Sequence, residues 1–398
     1  MKDLKKPISF SKWPEYDETQ IREVSKILQS GLVNYWTGNQ TRLFEKEFAQ
    51  LIDSKKAVAI SNGSLALSAA YKALRLTKGD ELITTPRTFI ATASTAAELG
   101  INIAFADVDR DSGAITAESI EPLITKNTKA ISVVHLGGWP ADMDSIMQLA
   151  QNYRIPVIED CSQAHGAKIK NKSVGSFGDI ATWSFCQDKI ISTGGEGGMI
   201  TTSNEKLWKK IWSYKDHGKN YEKTINQTDN KSSFRWLHDS LGTNMRLTEM
   251  QSAIGRIQIQ RLEEWNKKRN LNANLFIKAL SDNTLLRIPV PSKDFRHAWY
   301  RLYVYLNTEK LKDGWNRDRI LFEIKDLGVP IFSGSCSEVY LEKCFRESSY
   351  CLLKEVRLQV ARELGETSLC FLVHPNLGLN EIEYQTHIVN NILKKAIR

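Results

Sequence analysis

Three stretches of this chain place chemistry-bearing side chains beside glycines or at the end of an apolar run. The first is Cys186-Gln187-Asp188-Lys189-Ile190-Ile191-Ser192-Thr193-Gly194-Gly195-Glu196-Gly197-Gly198. Glycines let a backbone approach a ligand closely and adopt positive φ. A lysine held in such a turn, its pKa lowered by desolvation or by neighbouring cations, is nucleophilic enough to form a Schiff base. A solvated surface lysine is the ordinary alternative. The second stretch, Val157-Ile158-Glu159-Asp160, leads into Cys161-Ser162-Gln163-Ala164-His165. A carboxylate ending an apolar strand can pair with a protonated ring nitrogen, which is what a pyridoxal ring needs in order to act as an electron sink. Capping of the next helix is the plain alternative for Asp160. In the third, Ser61-Asn62-Gly63-Ser64 opens a helix. Small residues there would let backbone N–H groups meet a phosphate, as a simple helix cap would also explain. It is neither a Walker loop nor GxGxxG.

The elements that must position these residues can be read from periodicity. Strands are expected at Ala57–Ile60, Glu81–Thr84, Ile103–Ala106, Ala130–Val134, Val157–Glu159, Ala181–Phe185 and Met199–Thr202. Several are apolar throughout, as strands buried on both faces should be. Helical patterns such as Leu65–Leu74 and Met143–Tyr153 lie between them, so an α/β fold with a mostly parallel seven-stranded sheet is expected. Ligands of such sheets bind beyond the carboxyl ends of the strands. Thr248–Asn272 reads as one long helix. Beyond it come a strand at Tyr300–Leu306, helices near Arg317–Asp326 and Glu355–Leu364, and a terminal helix from Glu381. The expected division is a large domain over residues 1–260, with the N-terminal segment, and a smaller C-terminal α+β domain over 261–398. The polar stretch Tyr221–Phe234 reads as a surface loop.

Whole-chain properties exclude several classes. A length of 398 residues calls for two domains or one large α/β unit, and 25% charged with 41% hydrophobic residues is globular composition. No apolar run is long enough for a membrane helix, and the N-terminus has no secretory signal. Six cysteines without metal or disulfide spacing, and no cluster of metal ligands, point to reduced thiols in a cytoplasmic protein without a metal. The net charge of +8 is spread along the chain, so nucleic-acid binding is not expected.

The segments SNGSLAL, TTPRTFIATAS, ADVD, VIEDCSQAHGA, GSFGDIATWSF, CQDKIISTGGEGGM and GTNMRLTEMQSAIG occur in this order. Together they resemble the DegT/DnrJ/EryC1/StrS family of sugar aminotransferases, which have the aspartate-aminotransferase fold (fold type I). The resemblance is strong over residues 30–260 and thinner afterwards, where SLCFLVHPNL resembles the family's C-terminal region. It implies pyridoxal 5′-phosphate as cofactor, with Lys189 the lysine that carries it and shuttles protons. Asp160 would partner the pyridinium nitrogen, Gln163 the ring hydroxyl, and Phe89 the ring face, unless Phe89 is simply core packing. Gly63, Ser64 and Ser184 match a phosphate cradle. Asn244 matches an asparagine that reaches the phosphate from a neighbouring subunit, so a homodimer with shared active sites is implied.

The same resemblance implies L-glutamate as donor and an oxo-sugar as acceptor, in synthesis of lipopolysaccharide or another surface glycan. Related sugar dehydratases carry His in place of the lysine, and a catalytically silent homologue would not need Lys189, Asp160, Gln163 and Ser184 together. Arg87 departs from the usual pattern; it is either a surface cation or a contact to an anionic substrate group. His165 and His297 are further candidates for the substrate side, with Arg296–Tyr300 as a substrate-facing stretch. PRTFIATAS, SFCQDKI and SGSCSEVY look closest to a subgroup that includes the transaminase making 8-amino-3,8-dideoxy-octulosonate. The acceptor is therefore either a nucleotide-linked keto-hexose or an acidic 8-oxo-octulosonate.

Overall fold

A computed structural model describes residues 8–226, 236–353 and 356–398. Its centre is a seven-stranded sheet made of β1 (Lys56–Ile60), β2 (Glu81–Thr84), β3 (Asn102–Phe105), β4 (Thr128–Val134), β5 (Val157–Asp160), β6 (Ile180–Ser184) and β7 (Gly198–Thr202). The spatial order is β1-β7-β6-β5-β4-β2-β3. Only β7 runs against its neighbours, pairing antiparallel with both β1 and β6. The remaining pairs are parallel. All seven expected strands are present, shifted by at most two residues at their ends.

Helices cover both faces, because strands as apolar as β4 and β5 leave no face for water. The Gly63–Ala73 helix packs Ala66, Leu67 and Ala70 into one core with Val58, Ile158 and Ile200. On the opposite face, Met143, Ile146 and Leu149 of the Met143–Tyr153 helix join Ile83, Ile131 and Val157. Helices at Glu18–Ser30, Gln40–Ile52 and Glu205–Lys215 were not anticipated from the sequence.

The long helix runs Glu249–Leu280, eight residues beyond its expected end, and starts at a Thr248/Gln251 capping box. Its first half packs on the sheet core. Its second half contributes Ala273, Phe276 and Leu280 to a separate core with a four-stranded antiparallel sheet (Leu286–Arg287, Leu302–Leu306, Ser368–Phe371, Ile331–Phe332). One unbroken helix thus passes through residue 260 and serves both cores. Ile8 and Phe10 pack against the second core, while Phe295–Arg296 pairs back onto Lys168–Ile169.

Three expectations need correcting. Tyr221–Ile225 is a short helix, not loop, capped by the Asn220 side chain; residues 227–234 of that stretch lie outside the described residues. The helix expected from Glu355 spans Gln359–Thr367, and Glu355 itself is outside the described residues. The terminal helix begins at Leu379 and reaches Ala396.

The long helix lies against the Gln40–Ile52 helix at Gly255, where an added Cβ would come 2.5 Å from the Phe44 ring. That ring is fully buried and held edge-on by Phe48, so it cannot retreat. Overpacking outweighs the helix propensity gained by losing a glycine. Gly255→Val is expected to cost about 2 kcal/mol, read as a lowered urea midpoint at unchanged m-value.

Candidate active site

The carboxyl ends of the parallel strands open on one cavity of about 610 Å³, and most of the chemistry-bearing residues line it. Beyond β1, Asn62 caps the following helix through a bond from Leu65 N at 2.9 Å, leaving Gly63 and Ser64 at its N-terminus. Beyond β2 come Thr88, Phe89 and Thr92. β5 ends in Asp160, followed by Ser162 and Gln163; β6 ends in Ser184, followed by Cys186, Asp188 and Lys189. Gly63, Ser64, Phe89, Asp160, Gln163, Ser184 and Lys189 are therefore together.

Asp160 is only 5% exposed. Its Oδ2 accepts from Thr92 Oγ1 at 2.9 Å and its Oδ1 from Ser162 N at 3.1 Å. Thr92, in the Ala91–Ala97 helix, in turn contacts Thr88 just ahead of that helix, hydroxyl to hydroxyl at 3.0 Å. Gln163 Oε1 accepts from Gly137 N at 2.8 Å. Phe89 is 67% exposed, which rules out the core-packing alternative.

Asp160 is aimed by its neighbour. Glu159 faces the other way, fully buried, and accepts from Gly175 N, Phe177 N and Gly178 N at 2.7–2.8 Å and from His135 Nε2 at 3.1 Å. Burial pushes its carboxyl up, but His135 and the backbone donors outweigh burial and hold it below the usual carboxylate range. Cys161 lies near enough to complete a metal-like trio with His135 and Glu159. His135 Nδ1 accepts from Ala141 N at 3.0 Å, which leaves the ring proton on Nε2, directed at Glu159, so the His135–Glu159 pair acts as a brace.

Lys189 Nζ donates to Asp188 Oδ1 at 2.9 Å and lies 3.4 Å from Tyr300 Oη. Its carbonyl accepts from Trp13 Nε1 at 2.8 Å. Burial disfavours the ammonium, yet Tyr300 and Asp188 outweigh burial and raise its pKa above the ordinary lysine value. The expected lowering is thus corrected: a carboxylate and a phenol oxygen, not cations, face the amine. Tyr300 is brought there by Trp299, which adopts a left-handed conformation (φ 49°). That strain is held by bonds from Trp299 N to His297 Nδ1 at 2.7 Å and from its indole to Asn270 Oδ1 at 2.9 Å.

Four candidates do not line this cavity. Arg87 is fully buried; it donates to Ser337 Oγ at 2.7 Å and lies over the Tyr303 ring, so it is neither a surface cation nor a substrate contact here. His165 is wedged between Trp183 and Phe185, its pKa pushed down to about 3 by burial and then by the Lys189 and Arg269 charges. His297 stacks on Trp299 and borders a separate cavity with Glu263 and Asn270; burial takes its pKa to about 3. Asn244 is exposed, its side chain accepting from Arg246 N. Thr92, Trp13 and Asp188 had no role in the sequence reading. Thr88 precedes the Ala91–Ala97 helix that carries Thr92, so the fold and not helical spacing brings the two hydroxyls together.

Fold and site define a pyridoxal-phosphate-dependent aminotransferase of fold type I. The chain belongs to the DegT/DnrJ/EryC1/StrS aminotransferase family, which matches residues 14–392. An aminotransferase structure from Psychrobacter cryohalolentis is 51% identical, covers 97% of this chain and 99% of that one, and superposes with a TM-score of 0.94. Spore coat polysaccharide biosynthesis protein SpsC of Bacillus subtilis is 33% identical, covering 96% of each chain. GDP-perosamine synthase of Escherichia coli O157:H7 is 34% identical over 95% of this chain and 97% of that protein. The cofactor is pyridoxal 5′-phosphate, and the family acts on sugars. No described helix is long and apolar enough to cross a membrane.

The Glu159 brace carries a pH signature. A carboxyl whose folded pKa lies below the unfolded value contributes stability above about 4.5, its ordinary pKa, and loses it as pH falls through the folded value. Glu159→Gln is expected to cost about 3 kcal/mol at neutral pH and to flatten the acid limb of a urea-midpoint profile.

Proposed function

We propose that Lys189, Asp160, Gln163, Ser184, Gly63, Ser64 and Phe89 hold pyridoxal phosphate. In this reading the enzyme moves an amino group from L-glutamate to a nucleotide-linked oxo-hexose, in cytoplasmic synthesis of lipopolysaccharide or another surface glycan. The reading is carried by one observation: the amine of Lys189, a buried carboxylate and the N-terminus of an eleven-residue helix converge on one cavity. The cradle fits a phosphate because residue 63 has no side chain; a Cβ there would come 2.8 Å from Ser184 Cβ.

Bound pyridoxal phosphate supplies an aldehyde carbon for the amino group and a ring that withdraws electrons from the substrate's Cα. Backbone N–H groups at Gly63 and Ser64, with the Ser184 hydroxyl, bind the phosphate, and the helix dipole adds about 0.3–1 kcal/mol. Asp160 keeps a proton on the ring nitrogen, its own oxygens steered by Thr92 and Ser162. Gln163 orients the ring through its hydroxyl, and Phe89 offers an apolar face. Lys189 Nζ would take the proton from the donor's Cα and deliver it to the carbon that was the cofactor's aldehyde.

Asn244 fits this scheme as a donor to a neighbouring chain's phosphate, since it is exposed and outside its own cavity. A nucleotide-linked acceptor is favoured over an acidic octulosonate because Arg87, the cation that would have met an acidic sugar, is buried against Ser337. GDP-perosamine synthase is itself named for a nucleotide-linked sugar.

Purified enzyme is expected to absorb in the visible and to bleach on adding L-glutamate. With glutamate in excess, release of 2-oxoglutarate beyond one equivalent per site, tested against a panel of oxo-sugars, is expected only with nucleotide-linked oxo-hexoses. Lys189→Ala should lose the visible band and all turnover; retention of both would refute the assignment. Asp160→Asn should lower kcat on the order of 100-fold or more. Shared sites are tested by mixing Lys189→Ala with Asn244→Ala chains: activity reappears in hybrid dimers if each site borrows its asparagine.

A further inference from the structure

The carboxylate beside the cofactor lysine is held unlike any other at the cavity. Asp188 Oδ1 bonds Lys189 Nζ at 2.9 Å, while its Oδ2 accepts from the Tyr300 hydroxyl and lies 3.4 Å from Arg301 Nη2. Arg301 stacks over the Tyr300 ring at 4.3 Å, and Tyr300 is almost wholly buried, so the phenol has little freedom. The strained Trp299 immediately before it fixes its direction. Asp188 itself is 49% exposed and borders two cavities: the one holding Lys189, and a smaller one lined by Lys12, Trp13, Arg301 and His374.

Resting on the reading of Lys189 as the cofactor lysine, we infer that Asp188 and Tyr300 form a positioning pair that sets the protonation state of Lys189. In the chain without cofactor they hold Nζ as an ammonium at the cavity. When the nitrogen must become neutral, its N–H bond breaks and an O–H bond forms on Asp188 Oδ1. The proton leaves by the second cavity, and no electrons change hands. Tyr300 keeps Oδ2 occupied, so that Oδ1 remains the oxygen facing Nζ. Other charged groups near the amine stand further off or are otherwise engaged. Asp160 is bonded to Thr92 and Ser162; Glu196 receives Cys186 Sγ; His165 and Arg269 are buried, and Arg301 lies beyond Tyr300. Burial lifts the Asp188 carboxyl, but Lys189, the Tyr300 hydroxyl and Arg301 together outweigh it, so the carboxylate form is the one at rest.

The test reads the lysine rather than turnover. In the full chain freed of cofactor, the pH dependence of Lys189 acylation, followed by mass of the labelled peptide, reports the amine's pKa. Removing an adjacent anion destabilises the ammonium, so Asp188→Asn is expected to lower the midpoint by about one unit or more, and Asp188→Glu to restore it. Tyr300→Phe should move it the same way by less. A midpoint unchanged or raised in Asp188→Asn overturns the inference. Should that variant not fold, an unmoved midpoint in Tyr300→Phe overturns it instead. Lys189→Ala keeps the two readings apart: a visible band surviving there sinks the cofactor assignment. Loss of the band with an unmoved Asp188→Asn midpoint sinks only the pair.

Discussion

A carboxylate in a protein interior is tolerable only when donors surround it, and this structure uses that requirement to aim its reactive end. Glu159 and Asp160 are successive residues at the end of a central strand, so their side chains leave on opposite faces. The inward one collects three backbone N–H groups and a histidine and ties the Gly175–Gly178 turn to the sheet. The outward one is thereby fixed at the cavity without relying on its own loop. Removing the anchor would leave four donors without acceptors and would release the neighbour's backbone as well.

Lys189 obeys a different balance. Desolvation alone would strip its charge, yet the oxygens of Asp188 and Tyr300 stand close enough to reverse the sign. The turn of glycines after the lysine shows that the backbone approaches something; it says nothing about which charges will stand opposite the amine. Asp188, one residue before the lysine, supplies the charge, and the hydroxyl that holds Asp188 comes from residue 300, more than a hundred positions later, delivered by a strained tryptophan whose dihedral no pattern in the sequence announces.

The same division runs through the rest of the molecule. Strands buried on both faces announce themselves as unbroken apolar runs, and the residues closing those runs are the ones that meet at the cavity. The reversal of β7 was not legible from length, since the link from Ser184 to Gly198 is long enough for a crossover and differs from one only in holding no helix. Tertiary partners were not readable. Arg87 follows a strand end just as Thr88 and Phe89 do. It is drawn inward by Tyr303 and Ser337, which belong to the C-terminal half. His165 sits two residues past Gln163 but packs between Trp183 and Phe185. The helices at Glu18–Ser30 and Gln40–Ile52 precede the first strand, outside the strand–helix alternation that organised the reading. The division at residue 260 came from a change of texture, whereas one helix physically spans that point.

The carbonyl of Lys189 receives its hydrogen bond from Trp13, and the segment carrying Trp13 is pinned by Ser11 to Glu381 and by Lys12 to Asn376. Those contacts join residues up to 370 positions apart. During synthesis residues 11–13 therefore have no seat until residues 376–381 have emerged. Nascent chains shorter than this loop closure carry a finished sheet but an untethered lysine turn, so competence arrives with the carboxyl-terminal helix and not with the domain that supplies the chemistry.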